Sequence, residues 1–294
     1  MNVRPLTDED FDAVARIAAE DEEVLNGRTA HVVGDNVRQW TQFVDREQDS
    51  WLFEEDGELA AVGWFGRWGE IGSGSGIVAQ GFKGRGLGAE LVSRIEASAR
   101  RAGVPRLHVF VVAADAAAAD LMRSRGFAEV RRFYEMAIEL PAAAEAPGVP
   151  VEDFSADAAR DFYEALDESF RDHWEHQSMG FEKWWDLRHD QWYDADGPLW
   201  FLIRDEDEVA AVIRNEVREG GGGYVAALGV RRPYRGRGYA KALLVHSFRA
   251  FHERGLTRAT LGVDAESPTG ATHLYERVGM EIESTVVTYE KTLA

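Results

Sequence analysis

Residues Leu228–Lys241 read LGVRRPYRGRGYAK. The run just before and into this stretch, Tyr224–Val230, has the apolar composition of a buried strand, and Arg231-Arg232-Pro233 breaks it. After Gly236 and Gly238, residues 239–254 read as a helix, because Leu244, Phe248 and Phe251 repeat on one face. A strand therefore feeds a glycine-rich turn that opens a helix. Two glycines let a backbone approach a ligand and turn its N–H groups inward. The helix N-terminus adds a partial positive charge, and Arg235 and Arg237 add full ones. Such a turn suits a phosphate or pyrophosphate; the alternative is a surface Arg/Gly turn with no ligand. A Walker loop would need Lys-Ser/Thr after the last glycine, and a dinucleotide fingerprint would need Gly or Ala where Lys241 stands.

The same pattern occurs twice. FKGRGLGAELV (Phe82–Val92) carries Gly84 and Gly86, which recur 152 positions on as Gly236 and Gly238; Gly103 recurs as Gly255 at the same spacing. LMRSRGF (Leu121–Phe127) recurs 153 positions on as LYERVGM (Leu274–Met280). Three landmarks in one order imply two tandem copies of one fold. The segment PAAAEAPGVP (Pro141–Pro150) has linker chemistry. The expected division is a domain over 1–141, a linker over 142–149 and a domain over 150–294. A length of 294 residues suits two domains.

Composition excludes several classes. There is no cysteine, hence no disulfide, thiolate metal site or cysteine nucleophile. No apolar run approaches a membrane span, and the N-terminus lacks a signal-peptide core, so a cytoplasmic protein is expected. A formal net charge of −19 argues against nucleic-acid binding and would attract a cationic acceptor; a merely solubilising acidic surface is the alternative.

In the first copy, Val3-Arg4 reads as a strand, with Thr7 capping a helix over 8–19 and a second helix over 35–47. Strands 51–54 and 59–65 flank the hairpin signal Asp56-Gly57. The glycine-interrupted 71–75 predicts a weak, short strand. A helix over 87–101, a buried strand over 107–112, a helix over 116–125 and a strand over 130–140 follow. The second copy repeats this: a strand over 149–151, a helix over 155–169, a hairpin of 199–204 and 208–217, a glycine turn over 220–223, the strand 224–230, the long helix, and a strand over 259–263.

The loop, the element order and the Leu-x-x-x-x-Gly-Phe ending resemble the GNAT N-acetyltransferases, whose acyl-CoA loop reads Gln/Arg-x-x-Gly-x-Gly/Ala. Pro233 departs from its first position. The resemblance implies an α/β (α+β) fold: two tandem GNAT domains, each a mixed, mostly antiparallel sheet splayed between its fourth and fifth strands with helices on both faces. The tandem arrangement is similar to that of mycothiol synthase. It further implies acetyl-CoA as co-substrate, no metal, and direct transfer to a small-molecule amine, with no nucleic acid or membrane partner and a monomer or homodimer. Backbone groups of Leu228, Gly229 and Val230 would take the pantetheine arm. Those of Arg235, Gly236, Arg237, Gly238, Tyr239 and Ala240 would take the pyrophosphate. Ser267 stands near a family asparagine that meets the CoA arm, and Tyr275 holds the position of the acid that protonates the departing thiolate.

In the first copy Lys83, Gly84, Arg85, Gly86 and Gly88 would form a second phosphate cradle, but Met122 replaces the tyrosine, so that copy reads as catalytically degenerate. The fourth strand carries no carboxylate, which leaves Glu216, Asp264 and His173 open as general base. His173 and His176 also have the spacing of a metal pair, without a further ligand motif. Five of the nine tryptophans lie between Trp174 and Trp200, where the family roofs its acceptor pocket; packing of the two domains against each other is the alternative reading. A non-catalytic acyl-CoA-binding or regulatory protein is the competing function.

Overall fold

The computed structural model describes residues 1–27, 32, 34–194, 197–218 and 222–293. The chain forms two compact units, Met1–Phe133 with Ser284–Ala294, and Tyr134–Glu283.

In the first unit β1 (Asn2–Arg4) leads through a 3-10 turn to α1 (Phe11–Asn26). Thr7 and Asp10 form a reciprocal capping box at that turn, and Gly27, at φ 67°, ends the helix. The helix thus runs well past the expected residue 19. The expected second helix is two short ones, α2 (Gly34–Trp40) and α3 (Arg46–Asp49), because Asp45 caps a new start. β2 (Ser50–Glu55) and β3 (Glu58–Trp68) form the expected hairpin, with positive φ at Asp56 and Gly57. β4 is a full strand, Ile71–Val78, not a weak short one. α4 (Leu87–Arg101), β5 (Arg106–Val112) and α5 (Ala116–Ser124) follow. Neighbouring strands run β1-β2-β3-β4-β5; only β4 and β5 are parallel.

The second unit takes in the second half of β6 (Ala128–Glu139), from Tyr134 on, and then repeats the plan. Its elements are β7 (Glu152–Asp153), α6 (Ala159–Phe170), α7 (Phe181–Asp186), the small hairpin β8 (Tyr193–Asp194) and β9 (Gly197–Pro198), β10 (Trp200–Asp205), β11 (Glu208–Arg218) and β12 (Gly222–Val230). α8 (Tyr239–Glu253), β13 (Arg258–Asp264), α9 (Ala271–Arg277) and β14 (Glu281–Thr292) complete the chain. The first strand is β7, immediately beyond the expected 149–151. Part of the expected glycine turn, 220–221, lies outside the described residues. The strand order is β7-β10-β11-β12-β13-β6, with β12 and β13 parallel.

The units do not follow the expected linear boundaries, because the closing strands are exchanged. Val286–Thr292 of β14 pairs antiparallel with β5, and Val287 and Tyr289 join the first unit's core beside Leu107, Val109 and Phe127. β6 instead lies beside β13, and Met136 and Ile138 enter the second unit's core. Alternate residues of a strand share a face, so each closing strand brings a complete apolar stripe.

Candidate active site

The site begins where β12 leaves β13. Among the described residues the two strands pair at Gly223↔Ala259 and Tyr224↔Thr260 alone, and one edge of Val225–Val230 has no neighbouring strand. The other edge follows β11 but carries a bulge: Arg214 opposes Ala227 and Asn215 opposes Val225, leaving Ala226 as the extra residue. An extra residue inverts the faces beyond it. A Cβ on Gly223 would strike the Phe251 ring of α8, whereas one on Gly229, six residues on, would strike Ser169 Cβ of α6 at 2.8 Å. The first unit differs. β4 and β5 stay paired over Ile71–Gly74, and β3–β4 runs in continuous register with no bulge.

The two glycine loops share one backbone. Ala79 and Arg231 both have φ −58° and ψ 144°; Gly86 and Gly238 have φ 86° and 84°. Gly84 and Gly236, at 78° and 80°, are also left-handed, which only glycine adopts cheaply. In each copy the amides of six consecutive residues, 84–89 and 236–241, donate to no acceptor among the described residues. They cover Gly88 and Ala240. These amides, at a helix N-terminus, fit a pyrophosphate.

The cationic side chains of the loops are engaged elsewhere. Arg237 bonds Asp205, as Arg85 bonds Glu55 at 2.9 Å; Tyr239 also donates to Asp205. Arg235 lies 3.6 Å from Asp172, as Lys83 pairs with Asp21. Arg232 bonds Asp172 as well. These matched ties fix each loop to its own hairpin and, in the first unit, to α1, in the second to the turn just after α6. Leu228, Gly229 and Val230 lie on the free strand edge, and the Val230 carbonyl accepts from Arg235 Nε at 3.2 Å. Ser267 Oγ bonds Thr269 Oγ1 at 2.9 Å in the turn after β13.

Four side chains were expected to act on protons, and they fall into two groups. Tyr275 is buried in the second unit's core, and burial pushes its phenol up to about 12, with Tyr224 a further cause. Tyr224 stands opposite Glu216 across the β11–β12 ladder, and desolvation raises its phenol too. Glu216 itself accepts from Arg214 Nη1 at 2.6 Å. His173 stacks on Phe170 at 4.3 Å, and desolvation holds its imidazole below the ordinary histidine range, opposed by the charge of Asp264. Asp264 is buried at the end of β13 and accepts from the Glu266 amide at 2.9 Å. In the first unit Met122 is buried in the core, as Tyr275 is in the second. Tyr224 carried a sequence signal, a tyrosine opening the fourth strand. Glu135 carried none: it lies in the first copy's sequence, yet a Cβ on Gly262 would stand 3.2 Å from its Oε1. Among the described residues no three His, Asp or Glu side chains are grouped to hold a metal.

Beside the bulge lies a cavity of about 210 Å³. Ala226, Ala227 and Arg214 line it from the sheet, Tyr163, Asp167 and Phe170 from α6, and His176, Trp184 and Arg188 from the following segment. That segment does roof a pocket. Its tryptophans also pack their own unit: Trp184 and Trp200 are buried and stack on Phe162. No helix among the described residues is long and apolar enough to cross a membrane.

Comparison with known proteins agrees with this geometry. The sequence profile of the Acetyltransferase (GNAT) family matches residues 11–127 and again 159–280. The chain is 30% identical over 235 residues to a mycothiol acetyltransferase of Acidothermus cellulolyticus, covering 73% of this chain and 70% of that one. It is 27% identical over 265 residues to that of Nocardiopsis dassonvillei, covering 80% and 79%. Among solved structures, a GCN5-related N-acetyltransferase from Sphaerobacter thermophilus matches with a TM-score of 0.84 at 30% identity, over 99% of this chain and 95% of that one. A tandem GNAT protein from the clavulanic acid biosynthesis pathway shares the fold, with a TM-score of 0.72 at 13% identity, over 99% and 98%. Two matched profiles on two similar units leave one assignment: the chain belongs to the GNAT family of acetyltransferases, as a member with two GNAT domains in tandem.

Proposed function

We propose that the second unit is an acetyl-CoA-dependent N-acetyltransferase that acylates a small amine by direct attack, and that the first unit does not carry out transfer. The observation that carries this reading is the bulge at Ala226 together with the early parting of β12 from β13, beside a cavity; β4 has no such bulge.

The residues present fit the co-substrate. The free edge at Leu228–Val230 takes an extended pantetheine arm as an added strand. The amides of Gly236–Lys241 take the pyrophosphate, with Arg235 and Arg237 fixing the loop rather than facing the ligand. Bound acetyl-CoA supplies the thioester. A backbone N–H at the bulge, freed from the ladder, is placed to polarise a thioester carbonyl. With no cysteine in the chain, no cysteinyl intermediate forms. His173 is favoured as base over Glu216, which Arg214 already holds, and over Asp264, which caps its own turn. Burial favours the neutral imidazole of His173, the form a base needs, and the opposing charge of Asp264 would steady the imidazolium. Tyr275, which keeps its proton, protonates the leaving thiolate. Met122 has no proton to give.

Acetyl-CoA titrated by calorimetry into wild type, Gly86→Glu and Gly238→Glu tests this. Both glycines have nearly the same φ, so backbone strain is matched; a Cβ on Gly86 meets nothing within 4 Å and one on Gly238 makes only ordinary contact with Pro147 at 3.6 Å. Loss of binding confined to Gly238→Glu is expected. Loss confined to Gly86→Glu, or no binding to wild type, would refute the proposal.

A further inference from the structure

The cavity beside the bulge carries two guanidinium groups, and their charges are not balanced alike. Arg214 is buried, bonded to Glu216 at 2.6 Å, and lies over the Trp200 ring at 5.8 Å. Arg188 lines the same cavity half-buried, and its side-chain partner is the neutral Gln191 Oε1 at 3.2 Å. No described carboxylate lies within 4.0 Å of it. The acid on the cavity wall, Asp167, is near His176 at 3.4 Å and Arg171 at 3.5 Å. A half-buried cation with no direct carboxylate partner, beside Arg214 and helped only by the more distant charge of Glu216, is electrostatically costly. Consistently, burial and the Arg214 charge hold the Arg188 guanidinium down to about 10.

We infer that Arg188, with Arg214 behind it, binds the carboxylate of the acceptor, so that the acceptor is a small amine bearing a carboxylate, of the amino-acid class. A planar guanidinium matches a carboxylate in two parallel hydrogen bonds. Ala226 and Ala227 border the same cavity, so a carboxylate at Arg188 and an amine at the bulge belong to one short molecule. The volume, about 210 Å³, admits a compact ligand. The word acceptor rests on the acyl-transfer reading above; the carboxylate site does not.

The test is calorimetric, on the full chain, without acetyl-CoA. Short amino acids and their carboxamides are titrated as matched pairs into wild type, Arg188→Gln and Arg188→Lys, with thermal melts to show each variant folded. Wild type should prefer at least one carboxylate over its amide by roughly 10- to 100-fold, the worth of a charged hydrogen bond. Arg188→Gln should abolish the preference and Arg188→Lys restore part of it. Equal binding of acid and amide, no binding of any carboxylate at millimolar concentration, or a preference that survives in Arg188→Gln would overturn the inference. Acetyl-CoA titrated into the same wild-type sample separates the two claims. Its binding without a carboxylate preference sinks this inference alone, and a carboxylate preference without its binding sinks the acyl-transfer reading alone.

Discussion

Tyr275 sits among apolar neighbours of the second unit's core, and its hydroxyl keeps its proton up to about pH 12. Two consequences can be separated. As an acid, the phenol is present throughout the ordinary working range, so Tyr275 should impose no falling limb on kcat below roughly pH 10. As a buried neutral group with a raised pKa, it contributes stability that is complete below its ordinary value of 10.0 and is lost as pH rises through about 12. Tyr275→Phe keeps the ring and removes the proton. It should lower kcat by about 10²–10⁴-fold while leaving acetyl-CoA affinity and the neutral-pH melt nearly unchanged. A variant with wild-type kcat would mean that Tyr275 only packs α9 against the sheet. The sequence led to this residue through its place in LYERVGM. It gave no guide to the base, because the pairing of Glu216 with Arg214 and the turn built by Asp264 depend on folded geometry.

At the level of elements, local chemistry was legible and packing was not. The glycine loops are written in the sequence, since left-handed backbone selects glycine at Gly236 and Gly238, and the helices that follow begin where expected. β4 shows the opposite case. Its glycines read as strand breakers, yet they let α4 lie close on the sheet. A Cβ on Gly74 would overlap Ile95 Cγ2, and one on Gly76 would come within 3.0 Å of Leu91 Cδ1. The cause sits some twenty residues away in sequence, beyond any periodicity argument. The bulge at Ala226 was invisible for the same reason: it is a property of two strands in register. Gly74→Ala should therefore destabilise the first unit by about 1–3 kcal/mol through overpacking. Ile95→Ala, which removes the overlapping Cγ2, should cost less in the Gly74→Ala background than in the wild type when both are read by thermal melts. If Gly74→Ala is neutral or stabilising, the glycines of β4 are not packing residues.

At the scale of the molecule, the tandem repeat was plain in the sequence, but its closing strands could not be assigned. β6 and β14 end equivalent copies 153 positions apart, so either could close either sheet on local grounds. Folding places Val286–Thr292 on β5 and β6 beside β13. This is also how Glu135 comes to stand by Gly262 and the Tyr224 hydroxyl. The exchange means that the last residues of the chain support its first domain. Tyr289 is buried in the core formed by Leu107, Val109 and Phe127. Tyr289→Ala should cost about 3–5 kcal/mol, in the range of truncated core aromatics, and the loss should fall on the first unit. Hydrogen exchange read by mass spectrometry distinguishes the units, since local openings report on separate cooperative blocks. Protection should drop over Arg106–Val112 of β5 while α8 and β11 keep theirs. Loss confined to α8 and β11 would show that β14 belongs with its own copy, and residues 1–133 folding stably alone would show that the first domain does not need the borrowed strand.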